Sequence, residues 1–249
     1  MELKEFSPGG YAYLTGIPAF SSGVVALPGH EVVHAVLLRP VPWREGFDLV
    51  ESHLQSLGRP RQALCAMELR SPEPFTADGF AAFNKLYTAV LVDWGIMTGD
   101  DNPVARTNVA PVVAPPESEC LHAFSYTIES DTDASTFIVA GAGDVIRQEL
   151  GAPRIVREGE TSTDAMREKA ALVMSVMQAR LEGLGMAWRD VTAIDAYTAY
   201  DLHAHLASTI LEPAGPAAGK GVCWHLSHPP IHGLAYELDM RGVRRELVL

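Results

Sequence analysis

The sequence predicts an α+β protein of two similar units, residues 1–130 and 135–249, and three observations predict it. Strand-like and helix-like patterns alternate along all 249 residues. A polar run, "ESDTDAS" at 129–135, interrupts them near the middle. Beyond that run the order of patterns starts again, which is the signature of an internal repeat.

The elements follow in order. "YAYLTG" (11–16) reads as a strand. In "EGFDLVESHLQSLG" (45–58), Phe47, Val50, Leu54 and Leu57 recur at helical spacing, and Gly58 supplies a helix stop. "ALCAMELR" (63–70) returns to strand. Thr76 is placed to cap a second helix, "ADGFAAFNKLYTAVLVDWG", ending at Gly95. "ARTNVAPVV" and "CLHAFSYTI" read as two further strands. In the second half "TFIVAG" (136–141) matches "YAYLTG", a long helix runs from Thr163 to Gly185, and "VTAIDAY" is a strand. "DLHAHLASTIL" is a shorter helix, and "KGVCWHLSHPP" and "GLAYELDM" close the unit. Pairing Gly16 with Gly141 gives an offset of 125, and pairing Gly58 with Gly185 gives 127. From Arg106 to Lys220 the offset drops to 114, as a shorter second helix would cause.

Composition bounds the function. A formal net charge of -12 argues against nucleic acid, whose phosphates call for a basic face. The one basic cluster, Arg241, Arg244 and Arg245, reads as a solvated tail. No apolar run approaches the roughly 18 residues of a membrane span, and no secretory leader is expected. Cys65, Cys120 and Cys223 form no CxxC pair, so free thiols in a cytoplasmic protein are the expectation.

The residues that carry chemistry are few. Arg106 stands in "NPVARTNVAP", between a proline-marked turn and a strand. A planar, always-charged guanidinium grips a carboxylate through two parallel hydrogen bonds. A surface salt bridge is the plainer alternative. His122 and Glu237 lie on strands beside apolar neighbours, where either could serve as general acid or base, and where a satisfied core histidine is the alternative for His122. Asn84, Thr107 and Asn108 could donate to a substrate, and Lys220, in a Gly-Lys-Gly turn, is a further cation. His203 and His205 stand two apart on the expected helix and face different ways, so they cannot chelate as an i, i+4 pair would. His225, His228 and His232 are close in sequence, but two prolines and the lack of spaced cysteine or carboxylate partners favour a loop over a zinc site. A Gly-x-Ser-x-Gly elbow, a phosphate loop and a full dinucleotide fingerprint are absent from the sequence. No metal and no cofactor are expected.

The first half resembles the Rid family, also called YjgF or L-PSP. Phe80, Ala81, Asn84 and Tyr87 match the family's second-helix pattern, and "PVARTNV" resembles its proline-x-alanine-arginine strand with one extra residue. The second half resembles the family less. Lys220 stands where the arginine is expected, and "YELDM" supplies the family's last-strand glutamate as Glu237, where the first half has His122. The resemblance implies two tandem Rid-like (chorismate mutase-like) units, each a mixed β-sheet with two helices on one face. It implies self-association as a trimer or a multiple of it. It also implies hydrolysis of an enamine or imine next to a carboxylate, with Arg106 as the anchor. Among fused chains, the overall sequence character is similar to the deaminases of 2-aminomuconate and 2-amino-5-chloromuconate, dicarboxylates of aromatic-compound degradation. A chorismatase-like hydrolase and a non-catalytic Rid-like ligand-binding protein are the alternatives.

Overall fold

The computed structural model describes residues 1–146 and 154–249. The first strands, β1 (Leu3–Phe6), β2 (Tyr11–Leu14) and β3 (Gly23–Ala26), form an antiparallel meander. Then come β4 (His30–Pro42), α1 (Trp43–Ser56), β5 (Leu64–Arg70), α2 (Ala77–Asp93), β6 (Ala105–Pro111) and β7 (Cys120–Glu129). After β8 (Phe137–Gly143), two short strands, β9 (Val145–Ile146) and β10 (Arg154–Ile155), pair with each other. Next are α3 (Thr163–Gly183) and β11 (Ala193–Tyr197). A π-helical turn (Ala207–Leu211) runs into α4 (Glu212–Ala214). The chain ends with β12 (Cys223–His225), β13 (Ser227–His228), β14 (Glu237–Gly242) and β15 (Arg245–Val248).

The strands form a six-stranded sheet, β13-β6-β5-β7-β4-β15, and a seven-stranded sheet, β1-β2-β3-β8-β14-β11-β12. Each contains the same four-strand pattern. In the first it is β6-β5-β7-β4, with β5 and β6 parallel and the other pairs antiparallel. In the second it is β12-β11-β14-β8, with β11 and β12 parallel and the rest antiparallel. Neither sheet is built from one half of the chain alone. β3 pairs with β8, while β15 runs parallel to β4 and β13 pairs with β6.

Two sequence expectations change here. The strand that occupies the place of β8 in the first sheet is β4, a 13-residue element that the sequence reading passed over, and not "YAYLTG". And the cluster Arg241, Arg244 and Arg245 is only partly a solvated tail: Arg244 and Arg245 are exposed, but Arg241 lies in β14 and is not. Arg241 is ion-paired with Asp195 and Glu246, and Arg245 with Glu31, because β15 closes the edge of the six-stranded sheet. α1, α2 and α3 keep the expected periodicity, except that Leu57 lies just past the end of α1 and is exposed, and "DLHAHLASTIL" is a turn followed by the π-helical segment. Phe47, Val50 and Leu54 of α1 join Phe83, Tyr87 and Leu91 of α2 in one core. Met166, Ala170, Val173, Met177 and Leu181 of α3 pack with Val139, Leu238 and Met240 in the other. Each such large side chain contributes about 1.5–3 kcal/mol on burial. Gly58 and Gly185 end α1 and α3 in the left-handed region, φ +67° and +73°. No helix among the described residues is long and apolar enough to cross a membrane.

One buried ion pair ties α3 to the sheet. Lys169 Nζ lies 2.7 Å from Asp144 Oδ2, with the two side chains 1% and 0% exposed. Asp144 Oδ1 accepts from the amides of Ala235 and Tyr236, at 3.1 and 3.2 Å, just before β14 begins. Lys169→Met leaves that carboxylate buried and unpaired, so it should lower stability by about 3–5 kcal/mol. Urea unfolding checks this, and the double variant Lys169→Met/Asp144→Asn should recover part of the loss.

Candidate functional site

Two local devices set Arg106 in place. Pro103 disfavours helical backbone at Asn102. The Asn102 side chain donates to Ala19 O at 2.7 Å and accepts from the Val104 amide at 2.9 Å, and the Ser21 amide donates to Val104 O. Across from it, Thr76 caps α2 by accepting from Gly79 N at 3.0 Å. Phe80, Phe83, Asn84 and Tyr87 then share one helix face at i, i+3, i+4 and i+7.

That face receives the guanidinium. Arg106 Cζ lies 4.7 Å from the ring centre of Tyr87, 4.8 Å from Phe20, 5.4 Å from Phe80 and 5.8 Å from Phe83. Such cation–π contacts partly replace lost hydration. Nη2 donates to Asn84 Oδ1 at 2.6 Å. Nη1 is buried and has no hydrogen-bond partner among the described residues. Burial lowers the Arg106 pKa to about 10, against the pull of Tyr87 and the Glu237 charge.

Asn108 lies two residues on, on the same face of β6. Its Oδ1 accepts from Ser71 Oγ at 3.0 Å, while its Nδ2 is buried without a partner. The Tyr87 hydroxyl is a third buried group in that state. Burial pushes its pKa up to about 12 despite nearby Arg106, so it stays a neutral donor. Most buried polar groups are hydrogen-bonded, and each orphan costs about 1–3 kcal/mol. Others of this kind lie on His30, His53, His205 and Tyr236, but these three fall on the Arg106 face of β6 and on the α2 face packed over it.

Glu237 opens β14, buried, opposite Gly143 of β8 and Tyr197 of β11. Its carboxyl lies against Gly141, so any larger residue at 141 would push it aside. A Cβ there would stand 2.1 Å from Glu237 Oε1 and 3.2 Å from Thr107 Cγ2. Burial, reinforced by the Asp144 charge, pushes the Glu237 pKa up to about 8, against the fields of Arg180, Arg106 and Arg70. Such a carboxyl can both give and take a proton near neutrality.

The other candidates lie elsewhere. Thr107 points to the opposite face of β6 from Arg106, and its hydroxyl is hydrogen-bonded to Asp239. Burial and the Glu68 and Asp195 charges push Asp239 well above the usual carboxylate range. His122 lines a cleft of about 550 Å³ between the two sheets, with His34 and Glu68 on its side and Asp195, His225 and Arg241 on the other. Burial, and then the Arg70 charge, lowers the His122 pKa to about 4, so its imidazole is neutral at ordinary pH. Lys220 stands at the same cleft with its ammonium on Val191 O. It precedes β12, the strand in the place of β6, so it does not occupy the position of the arginine. A small cavity of about 10 Å³, bordered by Arg106 and Thr107, shares Glu68 and Arg241 with the cleft.

The structure thus joins Arg106, Asn84 and Asn108, while the Glu237 carboxyl sits beside Gly141 and Thr107, from where its charge still reaches Arg106. It separates His122 and Lys220 from them. The sequence reading missed Tyr87 as a polar group, missed Glu68 and Asp195 altogether, and took Arg241 only for part of a solvated tail. A signal for the last three exists: charged residues at alternate positions of otherwise apolar strands, as in "MELR", "AIDAY" and "YELDMRG". His203 and His205 are not on a helix. They sit in the turn before it, bonded to Asp201 and Thr209 respectively.

Comparison with known proteins supplies the family. The chain is 12% identical to a chorismatase of known crystal structure, at a TM-score of 0.46, with 97% of this chain and 79% of that one aligned. It is 43% identical to the 2-amino-5-chloromuconate deaminase of Comamonas testosteroni over 249 residues, 98% of each chain. The profile of the family described as "2-aminomuconate deaminase CnbZ" matches residues 3–247. Matched over nearly its whole length by both, the chain belongs to the CnbZ 2-aminomuconate deaminase family.

Proposed function

We propose that the chain is a hydrolytic deaminase of a 2-amino enamine dicarboxylate, 2-aminomuconate or its 5-chloro analogue, and that Arg106 anchors the carboxylate next to the amine. The observation that carries this reading is the set of orphaned donors, Arg106 Nη1, Asn108 Nδ2 and Tyr87 Oη, around a cation held by Asn84. An anion would complete their hydrogen bonds, and a guanidinium already stripped of water binds a carboxylate more strongly than an exposed one does. Half-buried Phe20 and Phe80 cover the guanidinium, so the substrate displaces one of them on binding.

The chemistry needs one proton carrier. The enamine tautomerises to the imine, water adds to C2, and ammonia leaves as the C2–N bond breaks, giving the 2-oxo acid. Glu237 takes a proton from the attacking water and returns it to the departing nitrogen. The reaction needs no metal. The shared four-strand order of the two sheets supports reading them as tandem Rid-like units, and trimeric self-association in the cytoplasm belongs to the same proposal.

One observation favours a second reading. The intersheet cleft of about 550 Å³ is roomy enough for a six-carbon dicarboxylate and offers Arg241 and Lys220. There His122, rather than Glu237, would be the base. Both cations already have partners, in Asp195 and Val191 O, which weighs against it.

The test is ammonia release from freshly generated 2-aminomuconate with a chelator present. The proposal expects stoichiometric ammonia and 2-oxo product. No release from well-folded protein would refute the deaminase, and release that stops with the chelator would refute metal independence.

A further inference from the structure

The histidines of "HLSHPPIH" do not cluster with one another, but one of them gains other company. His225 ends β12, Cys223 begins it, and as i and i+2 on a strand they share a face. β12 runs parallel to β11 with Asp195 paired to Cys223. The candidate ligand atoms of Asp195, Cys223 and His225 all lie within 4.8 Å of one another. His225 Nε2 is 2.9 Å from Asp195 Oδ1. We propose that Asp195, Cys223 and His225 form a binding site for a zinc-type divalent cation, at the edge of the seven-stranded sheet and open to the intersheet cleft.

The donor set and its surroundings fit. One thiolate, one imidazole and one carboxylate suit zinc, with metal–ligand distances of about 2.0–2.3 Å. Tetrahedral ligands at those lengths stand about 3.2–3.8 Å apart, so a cation replacing the shared His225–Asp195 proton needs only small side-chain shifts. Asp195 keeps Oδ2 on Arg241 Nη1 while Oδ1 faces His225, so the arginine orients the ligating carboxylate from behind. Stacking of His225 on Tyr197, 4.7 Å between ring centres, fixes the imidazole. Cys223 is exposed, which gives the cation access, and the fourth position faces the cleft.

A thiol nucleophile is the competing use of these residues. Burial and the Asp195 charge push the Cys223 thiol up, which disfavours a free thiolate nucleophile there. The cation would clasp the short edge strand β12 to β11. It has no part in the deamination proposed above, so the two stand or fall separately.

Cobalt(II) is the probe, titrated into chelator-treated full-length protein. The site predicts a thiolate-to-cobalt charge-transfer band with the visible bands of tetrahedral cobalt, displaced by zinc. Cys223→Ser should abolish the charge-transfer band, Asp195→Asn should weaken binding by about tenfold or more, and His228→Ala should change neither. Zinc should also slow iodoacetamide labelling of Cys223 in the unmutated protein, a readout that needs no variant to fold. No band in the wild type, a band that survives Cys223→Ser, or labelling indifferent to zinc would overturn the site.

Discussion

Arg106→Ala should cost about 100-fold or more in kcat/KM for ammonia release, about 3 kcal/mol of transition-state stabilisation. The loss combines the absent anchor with misplacement of the reacting carbon. Arg106→Lys should fall between, because an ammonium keeps the charge but cannot hold both Asn84 and a carboxylate in a planar fork. Stability should move the other way. The wild-type guanidinium is buried with one hydrogen-bonded arm and one orphaned arm. Arg106→Met removes that desolvated charge and leaves a flexible apolar chain among four aromatic rings, so its urea midpoint should equal or exceed that of the wild type. A variant that is stable and inactive separates an anchor from a structural residue. A variant that is unstable with proportionate loss of activity would count against the anchor.

Glu237→Gln should lower kcat by about 10²–10⁴-fold while leaving the fold intact, since the amide matches the carboxyl in shape but carries no exchangeable acid function. The wild-type profile of kcat/KM against pH should show a limb near the folded pKa of about 8 that the Gln variant lacks. Stability gives an independent reading of the same group. The Glu237 pKa rises from 4.5 to about 8 on folding, so between those values the native state binds more protons than the unfolded state. Stability therefore falls as pH rises through that window, and the favourable contribution is present in full only below the unfolded pKa. The Gln variant should lose this part of the slope. Parallel denaturation curves for the two proteins from pH 5 to 8 would contradict the assignment.

Local patterns in the sequence carried much of this. The period of 3.6 in α1, α2 and α3, with a glycine past each C-terminus and a capping hydroxyl at the start of α2 and α3, is set by neighbours three and four residues apart, and those are visible in a linear string. The approach of Asn84 to Arg106 was legible for a related reason: a helix followed by a parallel strand brings one face of the helix over that strand. What stayed hidden depends on which strands are neighbours. Exchange of β3 into one sheet and β15 into the other cannot be read from periodicity, and its omission misaligned the repeat at "YAYLTG". The cleft has the same origin. Glu68, Asp195, His225 and Arg241 come from four strands, and only the sheet order makes them adjacent. Cys223 looked alone because its partners are one strand over and two residues on, a spacing that no chelation motif of a helix or loop would contain.

The central claim is that a substrate carboxylate binds at Arg106. A crystal structure with muconate, the same dicarboxylate skeleton without the reactive amine, tests it most directly. The account predicts one carboxylate within hydrogen-bond distance of Arg106 Nη1 and Asn108 Nδ2, with Phe20 or Phe80 displaced. Muconate seated instead between the sheets on Arg241 and Lys220, with Arg106 still enclosed by its four rings, would contradict it and move the reaction to the cleft and His122.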